Sequence, residues 1–247
     1  MSAATRVHRR PTSAGAAKGS GSRGGESGLV PALRLTVRRC RFQVLAWVLP
    51  LWGLVMAVPS YVSVYPTIQL RGALVEGMRN NPGTRLLYGR LPLPGTIGQL
   101  AQWEIGSYLL VCTGLMSVLL TCRLLRADED DGLVEAVRAA GVGRRVPFAA
   151  PVAVVLTVVT LLAAGVGGIL HILTLTVAEL TVGGAWAAAG TLAATGWAFT
   201  ALTAAACQLA RDGSAARALA LMTLGVSFGL RVAADETTAS WLRWLTP

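Results

Sequence analysis

The side chains that could carry chemistry in this sequence are few and scattered. There are four cysteines, Cys40, Cys112, Cys122 and Cys207, and two histidines, His8 and His171. None stands in a C-x-x-C pair or at the Cys/His spacing of a zinc site. The thiols therefore read as small apolar packing groups, and no metal is expected. The sequence has no G-x-x-x-x-G-K-[ST] phosphate loop, no H-E-x-x-H and no G-x-S-x-G, and its single lysine, Lys18, lies in no phosphate-binding context. No nucleophile, base or ligand set converges. The expectation is a protein that is not an enzyme and holds no cofactor; any ATP it uses must be bound by another chain.

Carboxylates concentrate in one stretch. Arg126-Ala127-Asp128-Glu129-Asp130-Asp131-Gly132-Leu133-Val134-Glu135-Ala136-Val137-Arg138, followed by Gly141, Gly143, Arg144 and Arg145, is the only dense run of charge between apolar segments. Its grammar is that of a short helix from Asp128 to Ala140. Four acids open it, where the helix dipole favours negative charge. Leu133, Val134, Ala136, Val137 and Ala140 form an apolar stripe at helical spacing. Arg138 sits near the end, and Gly141 is a stop signal. An amphipathic helix between two membrane spans is a surface that a cytoplasmic partner can grip. Three further groups stand at outer helix ends: Glu104 at the mouth of one span, His171 and Glu179 near the end of the next. As interface groups they read first as solvated. The functional alternative is a cation site at Glu104 and a proton or ligand site at His171 and Glu179.

The elements that must position these residues are membrane helices. The 247-residue chain is 53% hydrophobic and only 14% charged, against roughly 25% charged in soluble domains, and its mean hydropathy is +0.57. The charges are clustered, so the apolar runs between them are nearly charge-free. That pattern excludes a large soluble core and predicts an all-α, polytopic transmembrane helical bundle of about five spans. The spans are expected at about 42–64, 104–125, 146–173, 185–209 and 215–232. Pro50 and Pro59 should bend the first. Gly165, Gly167 and Gly168 in the third, and Gly190 and Gly196 in the fourth, should allow close helix contact. Residues 1–30, rich in Ser, Gly, Ala and Arg, read as a disordered basic tail rather than a cleaved signal peptide, leaving 31–247 as the membrane domain. A loop at 65–103 carries a helix-compatible run from Gln69 to Arg79. Trp241 and Trp244 around Arg243 suit an interfacial anchor.

Arginine and lysine set the orientation. With the N-terminus inside, sixteen of the 22 basic residues fall on the cytoplasmic side and six outside, as the positive-inside rule requires. The loop 65–103 is then extracellular, the charged stretch 126–145 cytoplasmic, and the C-terminus outside. The net charge of +10 is accounted for by topology, so a nucleic-acid partner is not expected.

Three pieces of sequence together resemble one family. They are Asn81-Pro82-Gly83-Thr84-Arg85-Leu86-Leu87-Tyr88-Gly89, the run from Arg126 through Gly132 with Glu135 and Gly141-Val142-Gly143-Arg144, and Trp241-Leu242-Arg243-Trp244-Leu245-Thr246-Pro247. These are similar to the permeases of actinobacterial ABC-2-type exporters of the polyketide or tetronasin antibiotic kind. The resemblance covers about Tyr65 to Pro247, one half of the usual permease, and departs from it at Leu133, where the family usually has Arg. It implies a multi-pass subunit of a bacterial plasma membrane, a partner ABC ATP-binding subunit, and a coupling helix at 126–145. That helix would meet the ATPase through Asp128, Glu129, Gly132, Leu133, Val134, Glu135, Val137, Arg138 and Gly141. It further implies a second permease half or a homodimer, contact with membrane lipid, and a hydrophobic or amphipathic small-molecule substrate. The length leaves three alternatives: a split half, a truncated reading frame, or a diverged subunit with an assembly or regulatory role instead of transport.

Overall fold

The computed structural model describes residues 29–79, 81, 83–84, 88–89, 95–130 and 145–236. Almost all of the expected basic tail, Asp131 to Arg144 of the charged stretch, and Trp241 and Trp244 lie outside the described residues. Seven helices follow one another among those described: α1 (Leu29–Val55), α2 (Ser60–Val64), α3 (Ile68–Arg79), α4 (Ile97–Asp130), α5 (Val146–Leu173), α6 (Val182–Leu209) and α7 (Gly213–Glu236). There is no strand among the described residues. Five segments are long and apolar enough to cross a membrane, with α1 and α2 counted as one. The chain is an all-α, polytopic helical bundle.

The bundle is organised on α4. It packs against α1, α5, α6 and α7, and α6 lies between α5 and α7 while also touching α4. The main core joins Val48, Leu51 and Val55 of α1 to Met116 and Leu120 of α4 and Val155, Val159 and Leu162 of α5. A second, smaller core joins Val118 and Cys122 of α4 to Phe199 and Cys207 of α6 and Ala216 and Ala220 of α7. Burial is uneven: α4 is enclosed along most of its span, whereas α7 is hardly covered.

Local chemistry sets the helix ends. Thr181 caps α6 in an extended conformation, its hydroxyl accepting from the Gly184 N–H at 3.1 Å. Asp212 opens α7 by accepting from the Ala215 N–H and the Ser214 hydroxyl, both at 2.7 Å, and these bonds hold its carboxyl below the ordinary range. Pro147 stands in the first turn of α5, where its missing N–H is harmless.

Several expected boundaries require correction. The first span, expected from about residue 42, lies on a helix that begins at Leu29. The span expected from Glu104 begins at Ile97, so 97–103 belong to a helix and not to the loop. The cause is a reciprocal capping box. The Thr96 hydroxyl accepts from the Gln99 N–H at 3.2 Å, and the Gln99 side chain accepts from the N–H groups of Gly95 and Thr96 at 2.9 and 3.3 Å. At the other end, α4 runs through Asp128, Glu129 and Asp130. These acids are continuous with the span helix rather than the opening of a separate one. No breaker precedes Gly132, so nothing in the sequence interrupts the hydrogen-bonded ladder at Leu125. Of the two prolines in the first span, Pro50 sits inside a continuous α1, while Pro59 stands at the break that separates α1 from α2.

The glycines divide by what they face. A Cβ on Gly165 would lie 2.3 Å from the Trp52 ring, whose Nε1–H donates to the Leu162 carbonyl at 3.1 Å. One on Gly196 would lie 2.4 Å from Val159 Cγ1, a stiff β-branched side chain with no rotamer to yield into. Gly165 and Gly196 thus let α1 meet α5, and α5 meet α6, at close range. Gly168 and Gly190 have open space beside them.

Candidate functional site

The first turns of α4 and α6 and the last turns of α1–α2, α5 and α7 share one end of the bundle. A cavity of about 740 Å³ opens there, walled chiefly by α4 and α6. It reaches Leu110 of α4, about 20 Å along the helix from Ile97 at 1.5 Å per residue. Its walls are mainly apolar, including Val58, Ile105, Leu109 and Leu180, with Gln99, Gln102, Ser107 and Thr191 among them. Among the described residues, the charged ones on its lining are Glu179 and Arg231.

Glu179 belongs to a network that braces the rim. Arg71, on α3, is 2% exposed. Its guanidinium donates to both Glu179 carboxylate oxygens, Nη1 at 2.7 Å and Nη2 at 3.0 Å, a bidentate pair. Nε donates to the Tyr65 carbonyl at 2.9 Å. Glu179 also accepts from the Ile97 N–H at 2.8 Å, one of the amides that the start of α4 would otherwise leave without a partner. The Arg71 hydrogen bonds hold the Glu179 carboxyl below the ordinary range, reinforced by the Ile97 amide. One carboxylate thereby ties α3, the start of α4 and the α5–α6 connection together.

A second brace joins the connection before α4 to α4 itself. The Asn81 side chain accepts from the N–H groups of Gly83 and Thr84 at 3.0 and 3.4 Å, a local Asx-type turn. Further on, the rings of Tyr88 and Trp103 lie 4.8 Å apart, and Tyr88 meets Tyr108 edge-on at 5.5 Å with their hydroxyls hydrogen-bonded at 2.7 Å. Gly89 has φ 76°, a conformation glycine adopts without strain, and its carbonyl accepts from Trp103 Nε1–H at 3.1 Å. The Asn81–Gly89 motif thus includes a structural clamp onto α4.

The three outer-mouth groups singled out in the sequence are not brought together. Glu104 accepts from the Tyr61 hydroxyl at 2.7 Å, which ties α2 to α4. His171 Nδ1 accepts from Trp186 Nε1–H at 3.2 Å, linking α5 to α6. Only Glu179 lines the cavity. Reading all three as solvated interface groups overlooked partners that lie 43, 15 and 108 residues away. At the opposite end, Arg126, which opens the charged stretch, donates to the carbonyls of Cys207 and, at 2.6 Å, Ala210. It caps the C-terminus of α6, where carbonyls lack helical partners. Arg123 donates to the Gln43 side chain and ties α4 to α1. Of the residues expected to meet a cytoplasmic partner, Asp128 and Glu129 occupy the last turn of α4. Gly132, Leu133, Val134, Glu135, Val137, Arg138 and Gly141 lie outside the described residues.

Sequence reading missed Arg71, Ser107 and Arg231. Their partners are distant in sequence, so no local pattern marks them. The capping box at Thr96 and Gln99, by contrast, was a local signal.

No family model matches the chain. Over 232 residues, 90% of its length, it is 32% identical to a multidrug efflux system permease protein of Mycobacterium tuberculosis, and it spans 40% of that protein's length.

Proposed function

We propose that this chain is a membrane-spanning permease part of an ABC efflux transporter, moving an amphipathic small molecule with ATP hydrolysed by a partner subunit. The observation that carries this reading is the 32% identity to an efflux permease over nine-tenths of the chain. Five apolar helices and a cavity of ligand size support it; ligand sites run to roughly 300–1,000 Å³. The substrate class proposed is antibiotic-like or lipid-like, because the cavity is mainly apolar. The resemblance to polyketide and tetronasin exporters points the same way.

The reading includes a second permease half, either another copy of this chain or a separate one, since the chain spans two-fifths of its relative. α1 exposes Phe42, Leu45 and Leu49, with Met56 exposed just beyond its end, and α7 exposes Met222 and Val226. Such faces suit lipid or a neighbouring half. The partner ATPase would dock on the segment after α4.

Efflux tests the proposal. In cells loaded with a lipophilic cationic or anionic dye, energised extrusion should fall when this chain is deleted and return only when chain and ATPase are both supplied. Extrusion unaffected by the deletion would sink the transport reading and leave an assembly or regulatory subunit in its place.

The proposed orientation puts the N-terminus in the cytoplasm, on the arginine asymmetry alone. In a background without the native cysteines, a cysteine placed at Ser240 should react with a membrane-impermeant maleimide on intact cells. Reaction only after permeabilisation would reverse the assignment.

A further inference from the structure

The charge balance of the cavity is one-sided. Glu179 lines it, but both carboxylate oxygens are engaged by Arg71, and Oε2 also takes the Ile97 amide. Its negative charge is matched at the rim. Arg231 enters the cavity from α7 and has one described polar contact, the Ser107 hydroxyl at 3.4 Å. A guanidinium has five N–H donors in a planar fork, and a single long contact to a neutral hydroxyl leaves most of them open. Gln102 stands on the same lining, one α4 turn before Gly106 and Ser107, and adds a neutral donor. The rest of the lining is mainly apolar and includes Val58, in the turn between α1 and α2, and Ile105 and Leu109 of α4.

We propose that this cavity binds a lipophilic anion, its carboxylate or other singly charged oxyanion head on Arg231 and its apolar body along Val58, Ile105 and Leu109. The assignment rests on the permease reading and narrows it: the site selects amphipathic acids over neutral or cationic lipophiles. A carboxylate makes two parallel charge-assisted bonds to a guanidinium. A cationic head would meet Arg231 as a like charge, while Glu179, the acid on the described lining, is already paired with Arg71. The same chemistry is offered by a transported amphipathic acid and by an anionic bilayer lipid.

Direct binding separates these outcomes without the ATPase. The purified chain in phosphatidylcholine nanodiscs is titrated with a dansylated undecanoic acid and with its methyl ester. The acid should bind more tightly than the ester. Arg231→Gln should weaken the acid by about tenfold or more, the loss of one charge-assisted pair, and leave the ester unchanged. Arg231→Lys should recover part of the acid's affinity. Ala188→Phe, which narrows the cavity from the α6 side, should weaken acid and ester alike. Repeating the titration with phosphatidylglycerol in the disc assigns the source: competition identifies a bilayer lipid as the resident anion, and its absence identifies a diffusible amphipathic acid. Equal binding of acid and ester, or no change on Arg231→Gln in a variant that stays monodisperse, overturns the proposal. That failure would leave the efflux reading standing, because extrusion of the dye from cells is measured separately. Loss of efflux with acid binding intact would instead remove the transport reading alone.

Discussion

Val137→Asp is expected to release the ATP-binding partner on co-purification and to abolish transport-coupled ATPase activity. Val137 shares an apolar stripe with Leu133 and Val134 at helical spacing. In the proposed function this stripe seats in the partner. Burying each such side chain contributes about 1.5–3 kcal/mol, and an aspartate in the same place would face several kcal/mol of desolvation. A combined change of about 4 kcal/mol weakens an association nearly a thousandfold, enough to empty the complex at purification concentrations. The acids should matter far less. Glu129→Gln removes at most an exposed pair worth roughly 0–1 kcal/mol and should only loosen the complex. That α4 continues to Asp130 makes the link direct: a push on the segment that follows is delivered to the helix at the centre of the bundle, with Arg126 holding α6 alongside. Retention of the complex and its coupled activity in Val137→Asp would show that the partner docks elsewhere.

Arg71→Met should lower the melting temperature of the purified chain by about 4–8 °C. Its guanidinium is 2% exposed and holds Tyr65, Gly95 and both oxygens of Glu179. Breaking a fully buried pair costs about 3–5 kcal/mol, but Glu179 is 38% exposed and can rehydrate, so about 2 kcal/mol is the reasonable figure. For a chain of this size each kcal/mol moves the midpoint roughly 2–4 °C. Because the two residues act as one unit, Arg71→Met/Glu179→Gln should be little worse than Arg71→Met alone. The pH dependence has a definite sign. The fold depresses the Glu179 pKa, so the pair's contribution is present above the ordinary glutamate pKa of about 4.3 and is lost as pH falls through the lower, folded value. The gap between wild type and Glu179→Gln should therefore narrow in acid. Additive losses in the double variant, or a gap that widens in acid, would mean that Arg71 and Glu179 stabilise the rim independently.

The long apolar helices were legible in the sequence because each is a property of its own segment. A run of about twenty apolar residues satisfies its backbone internally and needs no partner to declare itself. α5 accordingly begins at Val146, directly after Arg145, and runs to Leu173 within a stretch free of charge up to Glu179. The start of α4 was also local, written in Thr96 and Gln99, but hydropathy overrode it: Gln99, Gln102 and Glu104 look too polar for a span, but the Gln99 side chain turns back to cap its own helix and Glu104 accepts from Tyr61. Tertiary structure alone decided the rest. Gly165 and Gly168 are indistinguishable by sequence, and only the approach of Trp52 from α1 makes the first a contact and leaves the second open. Glu179 looked like a solvated end group until a chain 108 residues away delivered Arg71 to it. Arg231 looked like one more outer arginine until α7 turned it toward Ser107 of α4. Such pairings come from helix packing, which follows from many weak side-chain contacts at once, and a periodicity within one segment carries no record of which neighbour it will meet.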